Sequence, residues 1–345
     1  MTEKELKFSD YLKKVSPGTP LRTVIRDLMS ANMGALIVLD SVELSSLSEG
    51  GFKVNCKFTS NKLFELCKMD GAIVLSSDLK KILYANVLLN PDTTISTNET
   101  GTRHKAGERT AKQANTFVIV VSERRKKASL YFGNHKYILK DTTKLLGEVS
   151  SNLQLLEKQR ELFNESRDKL DILEMTNTVT IGDVCNLIQR AEMILRISEM
   201  IKRYFTELGN VGSIMSLRYR ELIRGVEKIR DEVLRDYSAL QLKKSKSILS
   251  SFNFEILFDR EVMAKLLFGG PIEDNTSTRG YRFLSTLELD KKTIPQIVSR
   301  FKSLEGIFEA TPEDFNQVIK DEGGNLIREE ILHVRDQILS GKRIS

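Results

Sequence analysis

The nine residues Gly101–Arg109, Gly-Thr-Arg-His-Lys-Ala-Gly-Glu-Arg, crowd Arg103, Lys105 and Arg109 around His104 in a turn flanked by Gly and Thr. A helical pattern begins near Glu108. Free backbone N–H groups, guanidinium forks and a helix dipole together suit a polyphosphate. Upstream, Asp70-Gly71-Ala72 sets a lone carboxylate at the head of the apolar run Ala72–Leu75. Such a carboxylate can hold a divalent metal or take a proton from a hydroxyl. Taken singly, Asp-Gly before a strand reads as a turn, and the basic residues read as a solvated face with His104 as a bystander. The pair, an acid at a strand terminus and a cationic turn in one small domain, points to nucleotidyl chemistry.

Other chemistries find less support. Cys56, Cys67 and Cys185 are widely spaced and make neither a zinc pattern nor a disulfide framework, which fits a reducing cytoplasm. His135 and His333 have no partners at ligand spacing and read as structural. No Walker-type loop and no dinucleotide fingerprint occurs. No apolar run reaches membrane-spanning length, and Met1–Asp10 is charged rather than signal-like. The formal net charge is +6, and residues 101–144 hold eleven Lys/Arg against three Asp/Glu, favouring an anionic partner. Arg124-Arg125-Lys126-Lys127 falls on an expected turn between strands and reads as solvated surface charge.

These residues need elements to position them. A turn-rich entry over Leu12–Pro20 leads to a helix over Leu21–Ala31. Strands are expected at Gly34–Leu39, Phe52–Phe58, Gly71–Ser76, Lys81–Leu89 and Thr116–Val121, with a hairpin across Gly133-Asn134. Helices are expected over Asn61–Lys68 and Glu108–Ala114. The alternation gives an α/β domain over 1–144. From Leu145 strand signals nearly vanish. Leu146, Val149, Leu153 and Leu156 follow a heptad that Arg160 interrupts, so 145–280 reads as a packed helical bundle. Residues 201–250 carry eleven Lys/Arg against six Asp/Glu. Gly269-Gly270-Pro271 marks a second boundary, and 281–345 reads as short helices: Thr293–Phe301, Pro312–Ile319 and Leu326–Leu339. Between the last two lies Asp321-Glu322-Gly323-Gly324-Asn325. A Gly-containing hairpin between helices can lay N–H groups on a DNA phosphate. Ten Lys/Arg against eleven Asp/Glu in 281–345 leave no broad electrostatic footprint there, so an ordinary packing module is the alternative.

Over nearly its whole length the chain resembles the DNA integrity scanning proteins, bacterial diadenylate cyclases. The resemblance runs through Ser16–Leu21, Gly34–Leu39, Lys68–Ala72, Ile82–Val87, Glu99–Arg109, Gln189–Arg196 and the segment from Tyr281. It implies a cyclase domain with a mixed central sheet, an all-α middle and a tandem helix-hairpin-helix end. It implies that two ATP molecules become cyclic di-adenylate plus pyrophosphate. Asp70, with Mg²⁺ or Mn²⁺, would activate a ribose 3′-hydroxyl. Arg103, with Thr102 and His104, would hold phosphates, Lys105 and Ala106 would follow along the same string, and Gly71, Leu89 and Ser122 would line the nucleotide. It further implies a homo-oligomer, an octamer built through the cyclase domains, and regulation by branched or junction DNA at Gly323, Gly324 and Asn325. Departures stand at Lys105, Ala106 and Gly107, where the family has Arg, Thr and Ala, and at Gly324-Asn325, where it has an apolar residue then Gly. A protein that keeps nucleotide only as a ligand while scanning DNA is the rival expectation.

Overall fold

The computed structural model describes residues 3–287, 289–290, 292–319 and 323–341. Packing divides the chain into two compact units: Met1–Ser150 with Lys202–Ser216, and Ser151–Ile201 with Leu217–Ser345.

The first unit is α/β. Its strands are β1 (Ala35–Leu39), β2 (Ser48–Glu49), β3 (Phe52–Lys57), β4 (Ala72–Leu75), β5 (Lys81–Leu89), β6 (Phe117–Ser122), β7 (Lys127–Phe132) and β8 (His135–Ile138). They form one mixed sheet in the order β2-β5-β4-β1-β6-β7-β8, with β3 also on β5. The central pair β1 and β4 is parallel, and the other pairings are antiparallel. Helices α1 (Glu3–Lys14), α2 (Pro20–Ser30), α3 (Ser60–Leu66) and α4 (Thr102–Gln113) cover it. Alternation along β1 explains its unbroken apolar run. Ile37 and Leu39 pack with Val24, Ile25 and Leu28 of α2, whereas Leu36 and Val38 pack with Ala111 of α4. Thr19 caps α2, with Pro20 opening it.

The α1 helix replaces the charged start and turn expected there. Phe8, Tyr11 and Leu12 of this helix pack against the core of the sheet, and Tyr11 stacks on Phe117 at 4.6 Å. His135 stacks on Phe8, a structural role as expected. The thiols of Cys67 and Cys185 are buried, which pushes each up to about 12 and removes them as nucleophiles at neutral pH.

Helix α5 (Thr142–Met175) does not stop at Arg160. That guanidinium lies over Phe163 and donates to the carbonyls of Leu222 and Arg224, so it joins helices instead of ending one. Then come α6 (Ile181–Leu208), α7 (Ser213–Ile223), α8 (Val226–Tyr237), α9 (Leu242–Ser251), α10 (Phe254–Phe258) and α11 (Arg260–Leu267). The expected boundary near Gly269 is pinned: Ile181 and Gly182 N–H groups donate to Asp274 and Ile272. The remaining helices are α12 (Tyr281–Leu284), α13 (Thr293–Phe301), α14 (Leu304–Glu309), α15 (Pro312–Ile319) and α16 (Gly324–Leu339), around a core including Phe283, Leu304, Phe315 and Ile331. Among the described residues, no helix is long and apolar enough to cross a membrane.

Candidate functional site

Strand register gathers the residues singled out in the sequence. Leu36 lies opposite Ala72, Ala35 opposite Val121, and Ala72 opposite Val87. The starts of β1 and β4 and the ends of β5 and β6 therefore share one edge of the sheet. Asp70, Gly71, Leu89 and Ser122 all come to this edge, from three different stretches of chain. Leu89 turns inward to the core beneath α4, 7 % exposed.

Gly71 is fixed by the fold as well as by any ligand. Its φ of +83° is glycine territory, and a Cβ would stand 2.9 Å from backbone atoms of Asn86 and Val87, beside an irregular pairing of β4 with β5. This lets Asp70 swing clear: its carboxylate is fully solvent-exposed.

The basic stretch departs from expectation. It is not a turn before a helix; Thr102, Arg103, His104 and Lys105 are the first turn of α4 itself. Gly101 caps that helix without a side-chain bond, and no acid lies in its first turn. The N–H groups of Thr102, Arg103 and His104 precede the first intrahelical bond, Lys105 N–H to Gly101 O at 2.9 Å. Backbone donors and cations thus face the sheet edge together.

Arg103 reaches back over Gly34. A Cβ there would meet its Nη1 at 2.0 Å, so the missing side chain of Gly34 leaves the guanidinium its place. From that place Arg103 Nη2 lies 4.0 Å from Asp70 Oδ1, too long for a hydrogen bond. Acid and cation converge, and neither neutralises the other by direct bonding. The sequence did not mark Gly34; the only signal was a glycine directly before a buried strand.

Arg109 is not part of this cluster. Its Nε and Nη2 donate to the carbonyls of Ile95 and Thr93, at 2.9 and 2.8 Å, while Lys112 Nζ donates to Ser96 O. These two cations strap down the loop that feeds the helix N-terminus. Gly107 also acquires a packing reason, because a Cβ there would press into Val120 and Leu36. Ser122 Oγ accepts from Arg125 N–H at 3.2 Å and keeps its own hydroxyl proton to donate.

A residue that sequence reasoning missed organises the electrostatics. Glu99 is buried, accepts from the Tyr131 hydroxyl at 2.7 Å and pairs with Lys136. Burial pushes its carboxyl up, but Lys136 and Tyr131 outweigh that, so it ionises below the ordinary range. His104 is half-buried. Burial lowers its pKa, Glu99 pulls it back up, and Arg125, Lys136 and Arg103 lower it again. The imidazole is neutral at pH 7 and offers one N–H.

Among the described residues no group of three or more His, Cys, Asp or Glu could hold a metal. Asp70 is a single hard oxygen donor. That suits an ion that takes one carboxylate and completes its shell with water and phosphate, as Mg²⁺ does, and not a dedicated protein cage.

At the end of the chain, Asp321 and Glu322 lie outside the described residues. Gly324 is bound into the packing of α15 against α16: its N–H donates to Asn316 Oδ1 at 2.8 Å, and a Cβ would meet Pro312 O at 2.3 Å. That N–H is therefore committed, while Gly323 and Asn325 sit beside it at the head of α16.

Comparison with known proteins identifies relatives of the chain. Residues 22–136 match the family model described as DisA bacterial checkpoint controller nucleotide-binding, and residues 139–271 match DisA bacterial checkpoint controller linker region. The chain is 39 % identical over 348 residues to the DNA integrity scanning protein DisA of Clostridium kluyveri, covering 98 % of each chain. It is 38 % identical over 352 residues to that of Acetivibrio thermocellus, covering 99 % of this chain and 98 % of the relative. A solved structure of DacA from Staphylococcus aureus aligns with 39 % of this chain and 90 % of its own, at 22 % identity and a TM-score of 0.32.

Proposed function

The chain belongs to the DNA integrity scanning protein DisA family, and from that premise we propose that it is a cytoplasmic diadenylate cyclase, converting two ATP into cyclic di-adenylate and two pyrophosphates. The observation that carries the reading is the approach of Asp70 to Arg103 at 4.0 Å, beside the open N-terminus of α4. The 3′-oxygen of one ATP bonds to the α-phosphorus of the other, the bond from that phosphorus to the β-bridging oxygen breaks, and pyrophosphate leaves. The same step in the opposite sense closes the ring. Asp70 accepts the 3′-hydroxyl proton. Arg103 and the N–H groups of Thr102 and His104 take phosphate oxygens and stabilise charge as it develops. Lys105 supplies a point charge where a fork would bind two oxygens, and Ala106 supplies no donor. Gly71, Leu89 and Ser122 border the nucleotide. Mg²⁺ or Mn²⁺ held by Asp70 would add Lewis-acid neutralisation of phosphate charge.

Ring closure needs two ATP-bearing units face to face. The exposure of Asp70 supports a second copy as the missing wall, because fixed dipoles act most strongly where water is excluded. The family resemblance extends this to a homo-octamer built through the cyclase units. It also supports branched DNA as a regulator at the C-terminal helices, read as tandem helix-hairpin-helix, with Gly323 and Asn325 near the phosphates. The basic stretch 201–250 contributes less to DNA than its composition suggests, since Arg218, Lys228, Arg230 and Lys246 are all in ion pairs.

Incubating the full chain with ATP and either metal, then resolving products by mass spectrometry, tests the reading. Cyclic di-adenylate is expected, with a rate that changes when junction DNA is added. ATP binding without product in both metals would leave the nucleotide as a ligand only.

A further inference from the structure

The proposed reaction leaves unused a second concavity of the α/β unit, about 730 Å³ in volume. That size lies within the range of small-molecule sites. It is distinct from the nucleotide edge. Arg103 comes from α4 on one face of the sheet, whereas this hollow is lined by α2, which packs on the other face. The β6–β7 turn and the first turns of α5 complete it.

Its lining is cationic: Arg22, Arg26, Lys126, Lys127, Lys140 and Lys144, against the acids Asp141 and Glu148. Both acids are engaged. Asp141 Oδ1 accepts from the N–H groups of Thr143 and Lys144, at 2.9 and 3.1 Å, and Glu148 holds Lys140 Nζ at 2.6 Å. Among the described residues Arg26 pairs only with its exposed neighbour Asp27. Lys126 and Lys127 make no ion pair among the described residues. The cluster Arg124–Lys127, read from sequence as plain surface charge, thus contributes half of itself to a shaped site.

Arg22 is the reason to regard this as more than surface charge. It is 7 % exposed. Its Nη2 donates to Lys140 O at 2.6 Å and approaches Thr142 Oγ1 at 3.5 Å, but its buried Nη1 has no acceptor among the described residues. The nearby Glu207 is occupied by the Tyr137 hydroxyl and the Lys140 N–H. A guanidinium cannot discard its charge, and a buried charged donor without an acceptor is costly. Nη1 is closed to solvent as it stands, but Arg22 lines the concavity, so a small shift of its side chain would turn this orphan donor toward an anion held there.

We propose that this concavity is a second anion site that takes an oligophosphate group. Arg22 supplies the planar donor once its side chain turns outward, and Arg26, Lys126, Lys127 and Lys144 supply the surrounding positive field. The phosphates come either from an inorganic oligophosphate or from a nucleotide whose base lies along Met29, Ile138 and Leu139. The site does not depend on cyclase activity.

The test uses the full chain carrying Arg103→Ala, which silences the first site, and titrates tripolyphosphate by calorimetry at constant ionic strength. One equivalent per chain is expected, and Lys126→Ala/Lys127→Ala/Lys144→Ala weakens binding at least tenfold. These lysines are exposed, so the variant folds; Arg22→Lys, also expected to weaken binding, is the companion. No binding, or binding unchanged by the lysine variant, overturns the proposal. ATP in a parallel titration separates the sources: tighter binding than tripolyphosphate assigns a nucleotide, and weaker binding assigns the inorganic anion.

Discussion

In the helical unit, Arg282 is buried between Asp171 and Glu174; Glu174 in turn accepts from Tyr237, and Asp236 caps the N–H groups of Tyr281 and Arg282. In the α/β unit, Arg103 lies 43 % exposed with only a 4.0 Å approach to an acid. The same side chain serves opposite ends. Surrounded by carboxylates in low dielectric, it ties α5, α8 and α12 together, and burial keeps its one unpaired donor, Nε, away from any ligand. Left without a bonding partner, on a helix N-terminus with no acid in its first turn, it keeps its fork for an anion. Count of cations therefore says little about binding; what matters is which of them the fold has already neutralised.

Four substitutions or conditions would break or sharpen this contrast. Asp70→Asn should lower cyclase turnover by about 10²–10⁴-fold, the range for a lost general base. Since the carboxylate is exposed, stability should stay within about 0.5 kcal/mol of the parent in thermal unfolding. Appreciable residual turnover would remove Asp70 from the chemistry. Arg282→Met should do the reverse, costing about 3–5 kcal/mol in urea unfolding because it strands buried carboxylates. Its deficit has a definite pH sign. Burial raises the carboxyls of Glu174 and Asp236, the latter to about 7, so the folded state holds their protons more tightly than the unfolded chain. That contribution is present at low pH and lost as pH rises through 7, so the variant should fare worse at pH 8 than at pH 5. An equal deficit at both would separate the network from these acids.

Gly34→Ala addresses placement alone. The new methyl displaces the Arg103 guanidinium, and about a tenfold fall in kcat/KM is expected, with the fold intact by circular dichroism. The smallest effect concerns His104. Bound phosphate raises the pKa of the neutral imidazole, so binding takes up a proton and strengthens as pH falls from 8 toward 6. Measured as ATP affinity in the Asp70→Asn chain, the gain should exceed that of the same chain carrying His104→Gln. Parallel curves would exclude the imidazole from phosphate contact.

Much of the fold was legible. Strand Lys81–Leu89 and helices Thr293–Phe301 and Pro312–Ile319 appear with the expected limits, because apolar periodicity and a Thr311–Asp314 cap are local properties. Helix α4 was misplaced at its start, since Gly101, Arg103 and Gly107 look like turn residues until the sheet is present. Gly107 is there to let the helix lie close on Val120. Arg160 looked like a break because its carbonyl partners are more than sixty residues away.

The sequence by itself determined the residue types: an acid before one strand, a run of cations after another, and an α/β segment followed by helices. Those are consequences of local composition and period. Only the tertiary structure decided that Asp70 and Arg103 meet, that Arg109 serves a loop, that Glu99 lies buried between Tyr131 and Lys136, and that Arg22 is left with an unmet donor. Each of these is a distance between chain segments that strand register and helix packing set, and no spacing along the chain encodes it.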